Sequence, residues 1–211
     1  MKEIRIYGRR MPYILNNFLE GAKILAKAAV FEGKYVQIRE PWDFLRGGRP
    51  NAVTLRIDTK PINTLAKDYR LDMVVVSERD LVVVSKFGIV EKIDITHYLK
   101  NDGIILLNTK DRIPLQDYDE RIINLDMNQI AVDYNTGLRF PLVGAINKLL
   151  SLVSEKSLQQ AIRDASEGDS FANNLKAAEK AYSKLEESKK LSSMKSSQIS
   201  KAVNTLKKVK I

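Results

Sequence analysis

Short apolar runs rich in β-branched residues alternate along the chain with amphipathic segments of helical period, and this alternation restricts the chain to an α/β fold. Several runs, such as Leu71–Val76, lack the apolar/polar alternation of half-exposed strands, as is typical of strands covered on both faces. We therefore predict a three-layer α/β domain with a mainly parallel twisted sheet flanked by helices, a C-terminal helical segment and a basic tail. After a first strand around Ile4 and Ile6, the predicted strands are Val53–Ile57, Leu71–Val76, Leu81–Val84, Gly103–Asn108 and Arg121–Leu125, and the predicted helices are Phe18–Val30, Gln129–Tyr134, Leu142–Val153, Ser157–Asp164 and Phe171–Leu185.

Basic residues are concentrated at the C-terminal end of the chain. Of 211 residues, 35 are Lys or Arg and 26 are Asp or Glu, which gives a formal net charge of +9. Residues 188–211 contain seven lysines and no acidic residue, so residues 1–187, with 28 basic and 26 acidic residues, are close to neutral. This change of composition divides the chain into an α/β domain at residues 1–187 and a Lys/Ser-rich tail at residues 188–211.

Three interpretations of the tail are open. Its composition is typical of a solvated, disordered extension. A short amphipathic helix that docks on a partner is the second interpretation, because five apolar residues fall at helical spacing: Ile199, Ala202, Val203, Leu206 and Val209. Contact with a membrane surface or a nucleic acid is the third and weakest, and we expect neither as a partner.

The absence of cysteine excludes several kinds of chemistry. Disulfides, thiolate catalysis and cysteine-ligated iron–sulfur clusters held by this chain are ruled out. No apolar run approaches the roughly 20 residues needed to span a bilayer, and the N-terminus lacks a signal-peptide core. We therefore expect a cytoplasmic protein, and any electron carrier that works with it lies on another polypeptide.

The first strand leads through Gly8 and a long loop into the first helix, at the position where α/β domains often bind phosphate. Asn17 followed by Glu20 predicts a capping box, so the helix begins near Asn17. The loop contains Arg9 and Arg10 but no glycine after Gly8, and neither a dinucleotide-binding glycine pattern nor a Gly-Lys-Ser/Thr motif is present. Standard nicotinamide or flavin binding is disfavoured, and the two guanidinium groups indicate either an anion site or a solvated or partner-facing loop.

A second loop, residues 40–50, combines aromatic residues with arginines. It holds the only tryptophan, Trp42, together with Phe44, and Arg46 and Arg49 flank a Gly-Gly pair. Such clusters mark interfaces or anion sites. The alternative is that Trp42 and Phe44 anchor the loop on the core.

No catalytic or metal-binding constellation is evident in the sequence. His97 is the only histidine, and a lone histidine is more often structural than a catalytic base. Asp117, Asp119 and Glu120 fall in a polar stretch that indicates a solvated cluster. Metal-ligand spacing is absent, so we predict neither catalytic residues nor a metal site on this chain.

Several short motifs occur in order along residues 1–185. They are Gly8, Ala26–Gln37, Arg46-x-Gly48-x-Pro50, Arg56–Ile62, Asp102–Lys110, Val143–Ala145, Ser157–Ile162 and Asn174–Tyr182. Their order and spacing resemble the gamma subunit, or gamma domain, of pyruvate/2-oxoacid:ferredoxin oxidoreductases, the pyruvate synthase family. The Gly-Arg-Gly-Gly-Gln-Gly loop of that family diverges here after Gly8-Arg9 and is longer, and an alternative alignment places Asn16-Asn17 over the Gln-Gly pair.

The resemblance implies a role in a larger enzyme. Members of the family decarboxylate a 2-oxoacid on thiamine diphosphate, pass electrons through iron–sulfur clusters to ferredoxin and transfer the acyl group to coenzyme A. This chain would be a noncatalytic gamma-type subunit that assembles the thiamine- and cluster-bearing subunits, of alpha, beta and delta type, and covers the coenzyme A site. Ferredoxin would be an indirect partner.

Seven residues are expected to contact coenzyme A or a neighbouring subunit: Gly8, Arg9, Arg10, Asn16, Asn17, Arg46 and Arg49. The resemblance implies that coenzyme A is shared with partner subunits, that thiamine diphosphate and the iron–sulfur clusters lie on those partners, and that this chain binds no cofactor tightly. The alternative function is a stand-alone nucleotide-binding or regulatory α/β protein derived from the same fold.

Overall fold

A computed structural model of the chain describes residues 1–9, 17–39, 50–63, 70–77, 99–111 and 121–186. The predicted strand Leu81–Val84, His97 and the basic tail lie outside these residues. Strands and helices alternate along the described chain. None of the helices in this part is both long and apolar enough to cross a membrane.

Within the described residues, six strands form one sheet in the order β2-β3-β1-β4-β5-β6. They are β1 (Lys2–Arg9), β2 (Tyr35–Arg39), β3 (Pro50–Asp58), β4 (Leu71–Val76), β5 (Leu99–Leu107) and β6 (Ile122–Asn124). β3 is antiparallel to both of its neighbours, whereas the pairs β1/β4, β4/β5 and β5/β6 are parallel. Five of the six strands therefore run in one direction, which confirms the predicted α/β fold with a mainly parallel sheet.

The central strand β4 has the bounds that the sequence predicts. All six of its residues are buried, because it lies between β1 and β5 and both of its faces are covered. Val75 lies beside Ile6 on one side and Leu106 on the other. Burial on both faces is the reason for its near-continuous apolar sequence.

The helices of the described residues are α1 (Asn17–Phe31), α2 (Met127–Asp133), α3 (Arg139–Leu150), α4 (Glu155–Asp164) and α5 (residues 171–186), and a 3-10 turn at Gly168–Ser170 precedes α5. α1 begins at Asn17, where the sequence analysis predicts the start of this helix. The C-terminal helical segment is confirmed by α4 and α5.

The predicted bounds of α3, Leu142–Val153, are wrong at both ends. Pro141 is the third residue of the helix, where a backbone N–H has no helical acceptor, so proline is tolerated there. The helix ends at Leu150 because Ser151 takes a left-handed conformation with a φ of 50°. Beyond it, the Asn147 side chain accepts a hydrogen bond from the Val153 N–H and donates one to the Val153 carbonyl, each at 3.0 Å.

β2 has no counterpart among the predicted strands. It follows α1 through Gly33, whose φ of 69° is the left-handed conformation typical of a helix C-terminus. Val36 and Ile38 pack against the core, while Tyr35 is exposed. Within the described sheet β2 pairs only with β3, and a five-residue edge strand with two inward apolar residues gives a weak sequence signal.

One face of the sheet and the helices share a single core. α1 packs against α3 and α4 and lies over β1 and β3. Its residues Ala22, Leu25 and Ala29 are fully buried, and they belong to the same cluster as Ile4 and Leu55 of the sheet. The period of the first helix therefore predicts its buried face correctly.

The opposite face of β4 and β5 is buried as well. Val74, Val76, Ile105 and Leu107 form a second apolar cluster with Leu71. Each of the five is at most 1% exposed. β4 and β5 are thus buried on both faces of the sheet.

On β1 and β3 this opposite face carries buried charges. The Arg56 side chain is 1% exposed; its Nη2 lies 3.2 Å from Glu3 Oε1, and its Nη1 donates to Gln37 Oε1 at 3.0 Å. Burial raises the pKa of the Glu3 carboxyl, and the Arg56 charge only partly opposes this effect. Asp72 accepts a hydrogen bond from the Glu3 N–H at 2.8 Å and lies 2.8 Å from Lys100 Nζ.

Candidate functional site

The carboxyl ends of β1, β4, β5 and β6 meet along one edge of the sheet, here called the carboxyl edge. The chain adds β2 and β3 on one side of β1 and then β4, β5 and β6 on the other. The strand order therefore reverses between β1 and β4. In open α/β sheets, ligands bind at the carboxyl edge beside such a reversal.

Gly8 brings β1 close to both β4 and α1 at this reversal. A Cβ built at Gly8 would lie 2.4 Å from Cδ1 of Phe18 and 2.8 Å from Oγ of Ser77. The Ser77 N–H donates to the Tyr7 carbonyl at 2.9 Å. A larger residue at this position would require the Phe18 ring and the Ser77 hydroxyl to move.

Asn108 joins β4, β5 and α2 at the same edge. Its side-chain amide donates to the Ser77 carbonyl at 2.7 Å, and its Oδ1 accepts from the N–H of Met127 at 2.8 Å and of Asn128 at 3.3 Å. The next residue, Thr109, accepts from the Asp111 N–H at 3.1 Å. These hydrogen bonds fix the ends of two strands and the start of α2 relative to one another.

α1 and α3 begin beside each other near Gly137. A Cβ built at Gly137 would lie 3.3 Å from Asn17 Oδ1 and 3.1 Å from Arg139 Nη1. The Arg139 guanidinium also lies 4.7 Å from the ring centroid of Phe140. The Asn17 side chain and the Arg139 guanidinium therefore both lie near Gly137 at two helix N-termini, and the guanidinium and the helix N–H groups are the parts of this arrangement suited to an anionic group.

The structure locates three of the seven residues that the sequence analysis assigns to the site. Gly8 and Arg9 end β1, and Asn17 begins α1. The other predicted contacts, Arg10, Asn16, Arg46 and Arg49, lie outside the described residues, as do Trp42, Asp117 and Asp119. The assignment of all seven to coenzyme A or subunit contacts stays a prediction.

Three polar residues of the carboxyl edge are missing from the predicted site: Ser77, Asn108 and Arg139. Ser77 and Asn108 each follow directly on the apolar run of a parallel strand. A polar residue at that position is the signal that could have identified them, because the ends of parallel strands share one edge. Arg139 gives no such signal, since it follows a turn and its position depends on the packing of α3 against α1.

The polar groups of this edge hold the backbone in place. Asp126 caps α2 by accepting from the Gln129 N–H at 2.9 Å, in the same way that Asn108 and Thr109 accept from neighbouring N–H groups. Among the described residues, no group of three or more His, Cys, Asp or Glu side chains could hold a metal ion. The arrangement is suited to binding an anionic ligand or a partner surface.

Comparison with known protein families gives a match over most of the chain. Residues 19–184 match the family described as pyruvate ferredoxin/flavodoxin oxidoreductase. The matched range contains β2 to β6 and α2 to α4 completely, and all but two residues of α1 and of α5.

Known proteins similar to this chain include a gamma subunit. The pyruvate/ketoisovalerate oxidoreductases common subunit gamma of Pyrococcus furiosus is 33% identical over 197 residues, which cover 88% of this chain and 98% of that protein. Among solved structures, the pyruvate oxidoreductase subunit PORC of Thermotoga maritima superimposes with a TM-score of 0.66 at 24% identity, over 86% of this chain and 95% of that one.

A larger enzyme contains the same fold. The 2-oxoglutarate:ferredoxin oxidoreductase of Magnetococcus marinus, solved with 2-oxoglutarate, coenzyme A and succinyl-CoA bound, gives a TM-score of 0.63 at 16% identity. The similar region covers 86% of this chain and 30% of that chain. At this identity the likeness shows the fold alone.

Proposed function

Because the chain belongs to the pyruvate ferredoxin/flavodoxin oxidoreductase family, we propose that it is the gamma-type subunit of a 2-oxoacid:ferredoxin oxidoreductase complex, with pyruvate as the favoured substrate. The observation that carries the proposal is the 33% identity to a gamma subunit over 88% of this chain and 98% of that protein. A match of nearly full length in both proteins supports equivalence of the whole subunit.

The proposed role within the complex is assembly. The chain has no cysteine with which to ligate an iron–sulfur cluster, and the polar groups of its carboxyl edge are used in capping and strand-end hydrogen bonds. Thiamine diphosphate and the clusters would lie on the alpha-, beta- and delta-type subunits, with ferredoxin reached through them. In this role the domain at residues 1–187 is the unit that those subunits contact.

The carboxyl edge is the proposed place where this subunit covers coenzyme A. Coenzyme A carries a pyrophosphate and a 3′-phosphate, and the edge offers Gly8 and Arg9 at a strand end, with Asn17 and Arg139 at two helix N-termini. A guanidinium engages phosphate by charge-assisted hydrogen bonds. The Magnetococcus marinus enzyme was solved with coenzyme A bound, and Arg10, Asn16, Arg46 and Arg49 remain predicted contacts.

Reconstitution of the complex tests the proposal. The candidate alpha-, beta- and delta-type subunits from the same genome are produced with and without this chain, and 2-oxoacid-dependent reduction of ferredoxin is measured in the presence of coenzyme A. We expect activity only when this chain is present. An equal rate in its absence would contradict the proposed function.

A matched pair of arginine variants tests the coenzyme A site within the reconstituted complex. Removing the charge in Arg139→Gln eliminates a charge-assisted hydrogen bond, so we expect KM for coenzyme A to rise at least roughly tenfold, with an unchanged KM for the 2-oxoacid. Arg163→Gln is the control, because Arg163 on α4 also lies over a phenylalanine ring. Its guanidinium is 4.0 Å from the ring centroid of Phe171. Equal KM values for coenzyme A in the two variants would remove Arg139 from the site.

The stand-alone nucleotide-binding alternative makes a different prediction. A free nucleotide at saturating concentration would then stabilise the isolated chain by about 2 kcal/mol or more. We expect a smaller effect, because a site shared with partner subunits is incomplete on this chain. Thermal unfolding of the purified chain with and without coenzyme A or ATP separates the two functions.

A further inference from the structure

A groove between α3, α4 and α5 shares no residue with the carboxyl edge. Its floor is mainly apolar and includes Leu158 and Ile162 of α4 with Leu175 and Ala178 of α5. The cavity at its centre has a volume of about 110 Å³. A cavity of roughly 150 Å³ accommodates benzene, so this one has room for a single large apolar side chain.

The rim of the groove is acidic. Glu155 on α4 and Glu179 on α5 line opposite walls, and both are exposed, as is Gln159 in the middle of α4. The charge of the neighbouring Lys148 is already engaged, because its Nζ lies 3.8 Å from the ring centroid of Tyr182 and pairs with Glu186. An apolar floor with an acidic rim fits a segment that is apolar on one side and rich in lysine on the other.

The chain itself contains a segment with this chemistry. Residues 188–211 carry seven lysines and no acidic residue, and five apolar side chains recur at helical spacing between Ile199 and Val209. We infer that residues 199–209 of the tail dock in the groove between α3, α4 and α5. An apolar side chain of the segment enters the cavity, and lysines such as Lys201 and Lys207 lie beside Glu155 and Glu179.

The length of the connection permits this docking. α5 forms one wall of the groove and is described as far as Glu186. Residues 187–198 therefore connect α5 to the docking segment at residues 199–209. The average end-to-end distance of a random-coil segment of twelve residues is roughly 20 Å. Glu179 lies seven residues before Glu186, about 10 Å along a helix.

The covalent connection also compensates for a small contact area. One buried side chain and two exposed ion pairs bind weakly between separate molecules. A short flexible linker supplies an effective concentration in the millimolar range, at which such a contact is populated. The inference is independent of the proposed function, because it concerns the tail and groove of this chain alone.

Cross-linking in the full-length chain tests the docking, and the natural absence of cysteine makes the experiment clean. Gln159→Cys is combined with Ala202→Cys, and disulfide formation with oxidised glutathione is followed by mass spectrometry. In the control, Asn101→Cys replaces another exposed amide, on β5 in the sheet, and is combined with the same tail cysteine. We expect the intrachain disulfide to form at least ten times faster in the first pair.

Charge reversal in the same cysteine background adds a second readout. Glu155→Lys with Glu179→Lys, or an increase in ionic strength, should slow the reaction of the Gln159→Cys pair and leave the control pair unchanged, because exposed ion pairs are screened by salt. Equal rates for the two cysteine pairs would overturn the inference. A disulfide that forms only between chains, at a rate that rises with protein concentration, would overturn it too by assigning the groove to a second copy.

Discussion

Among single residues, Gly144 controls how closely α3 and α5 approach. A Cβ built at Gly144 would lie 2.2 Å from the Ala178 carbonyl oxygen and 2.7 Å from its carbonyl carbon. Because the obstacle is backbone, Gly144→Ala forces the two helices apart. We expect the variant to lose about 1–3 kcal/mol of unfolding free energy, measured by chemical denaturation of the full-length chain.

Gly21 is the matched control for this substitution. A Cβ at Gly21 would also make a short contact, at 2.9 Å, but with Cδ2 of the Leu142 side chain, which can change its rotamer. Since alanine is favoured over glycine in a helix by roughly 1 kcal/mol, Gly21→Ala should be neutral or slightly stabilising. An equal loss of stability in both variants would show that the Gly144 contact is not specific.

The buried pair of Glu3 and Arg56 gives a second prediction at this scale. Arg56→Met leaves the Glu3 carboxylate buried without its cation, so we expect a loss of about 3–5 kcal/mol in unfolding free energy. Combining it with Glu3→Gln removes both charges, and the double variant should be more stable than Arg56→Met alone. A double-mutant cycle by urea denaturation measures the coupling, and additive single effects would show that Glu3 and Arg56 do not stabilise each other.

Residues differ in how far the sequence predicts their environment. The strand Leu71–Val76 is predicted with its correct bounds because burial on both faces appears directly in its own composition. The burial of Arg56 could not be predicted in this way, since it depends on Glu3 and Gln37, which reach it only through strand pairing. The placement of Arg139 at the carboxyl edge could not be predicted from the sequence either, because it depends on the packing of the helices.

Among the elements, the turn after α1 is joined to the start of α4 by one carboxylate. Glu32 Oε1 accepts from the Ser154 N–H at 2.6 Å, and Glu32 Oε2 lies 2.7 Å from Lys34 Nζ. Lys34 also donates to the Leu152 carbonyl at 2.5 Å. Burial opposes ionisation of Glu32, but the hydrogen bonds from Lys34 and Ser154 outweigh it and lower the pKa of Glu32 to about 2.

This connection makes the stability of the chain depend on pH. Because the folded-state pKa of Glu32 is below its ordinary value of 4.5, ionised Glu32 stabilises the fold above about pH 4.5, and this contribution is lost as the pH falls towards 2. We expect Glu32→Gln to unfold more easily than wild type at neutral pH by about 1–2 kcal/mol. The difference should shrink below pH 4.5 in denaturation curves recorded at several pH values.

Glu20 provides the control for this prediction. Its Oε1 lies 2.9 Å from Lys23 Nζ on the solvent-facing side of α1, and exposed pairs of this kind contribute little. Glu20→Gln should therefore change the unfolding free energy by less than about 0.5 kcal/mol at neutral pH. A Glu32→Gln effect no larger than this would show that the carboxylate does not join α1 to α4.

Elements with a strong apolar pattern are predicted well, and the others depend on tertiary structure. β5 begins at Leu99, four residues before the predicted strand at Gly103, because Lys100, Asn101 and Asp102 extend the strand without an apolar pattern. Arg121 supports this extension by donating to the Lys100 and Asn101 carbonyls, each at 3.0 Å. The antiparallel insertion of β3 between β1 and β2 likewise follows from pairing between distant segments.

At the scale of the whole molecule, the described chain presents two surfaces with different properties. The carboxyl edge gathers strand ends and helix N-termini with Asn17 and Arg139, which suits an anionic ligand shared with partner subunits. The groove between α3, α4 and α5 combines an apolar floor with Glu155 and Glu179, which suits the basic tail. The order of the family motifs in the sequence predicts the fold and the family, whereas the position of these surfaces requires the packed structure.

The most direct test of the central claim is purification of the native assembly through a tag on this chain, expressed at its natural level, with identification of the co-purifying proteins by mass spectrometry. We expect stoichiometric recovery of a thiamine diphosphate-binding subunit and an iron–sulfur subunit, in a preparation that reduces ferredoxin when a 2-oxoacid and coenzyme A are added. Recovery of this chain alone, with no thiamine- or cluster-bearing partner, would contradict it.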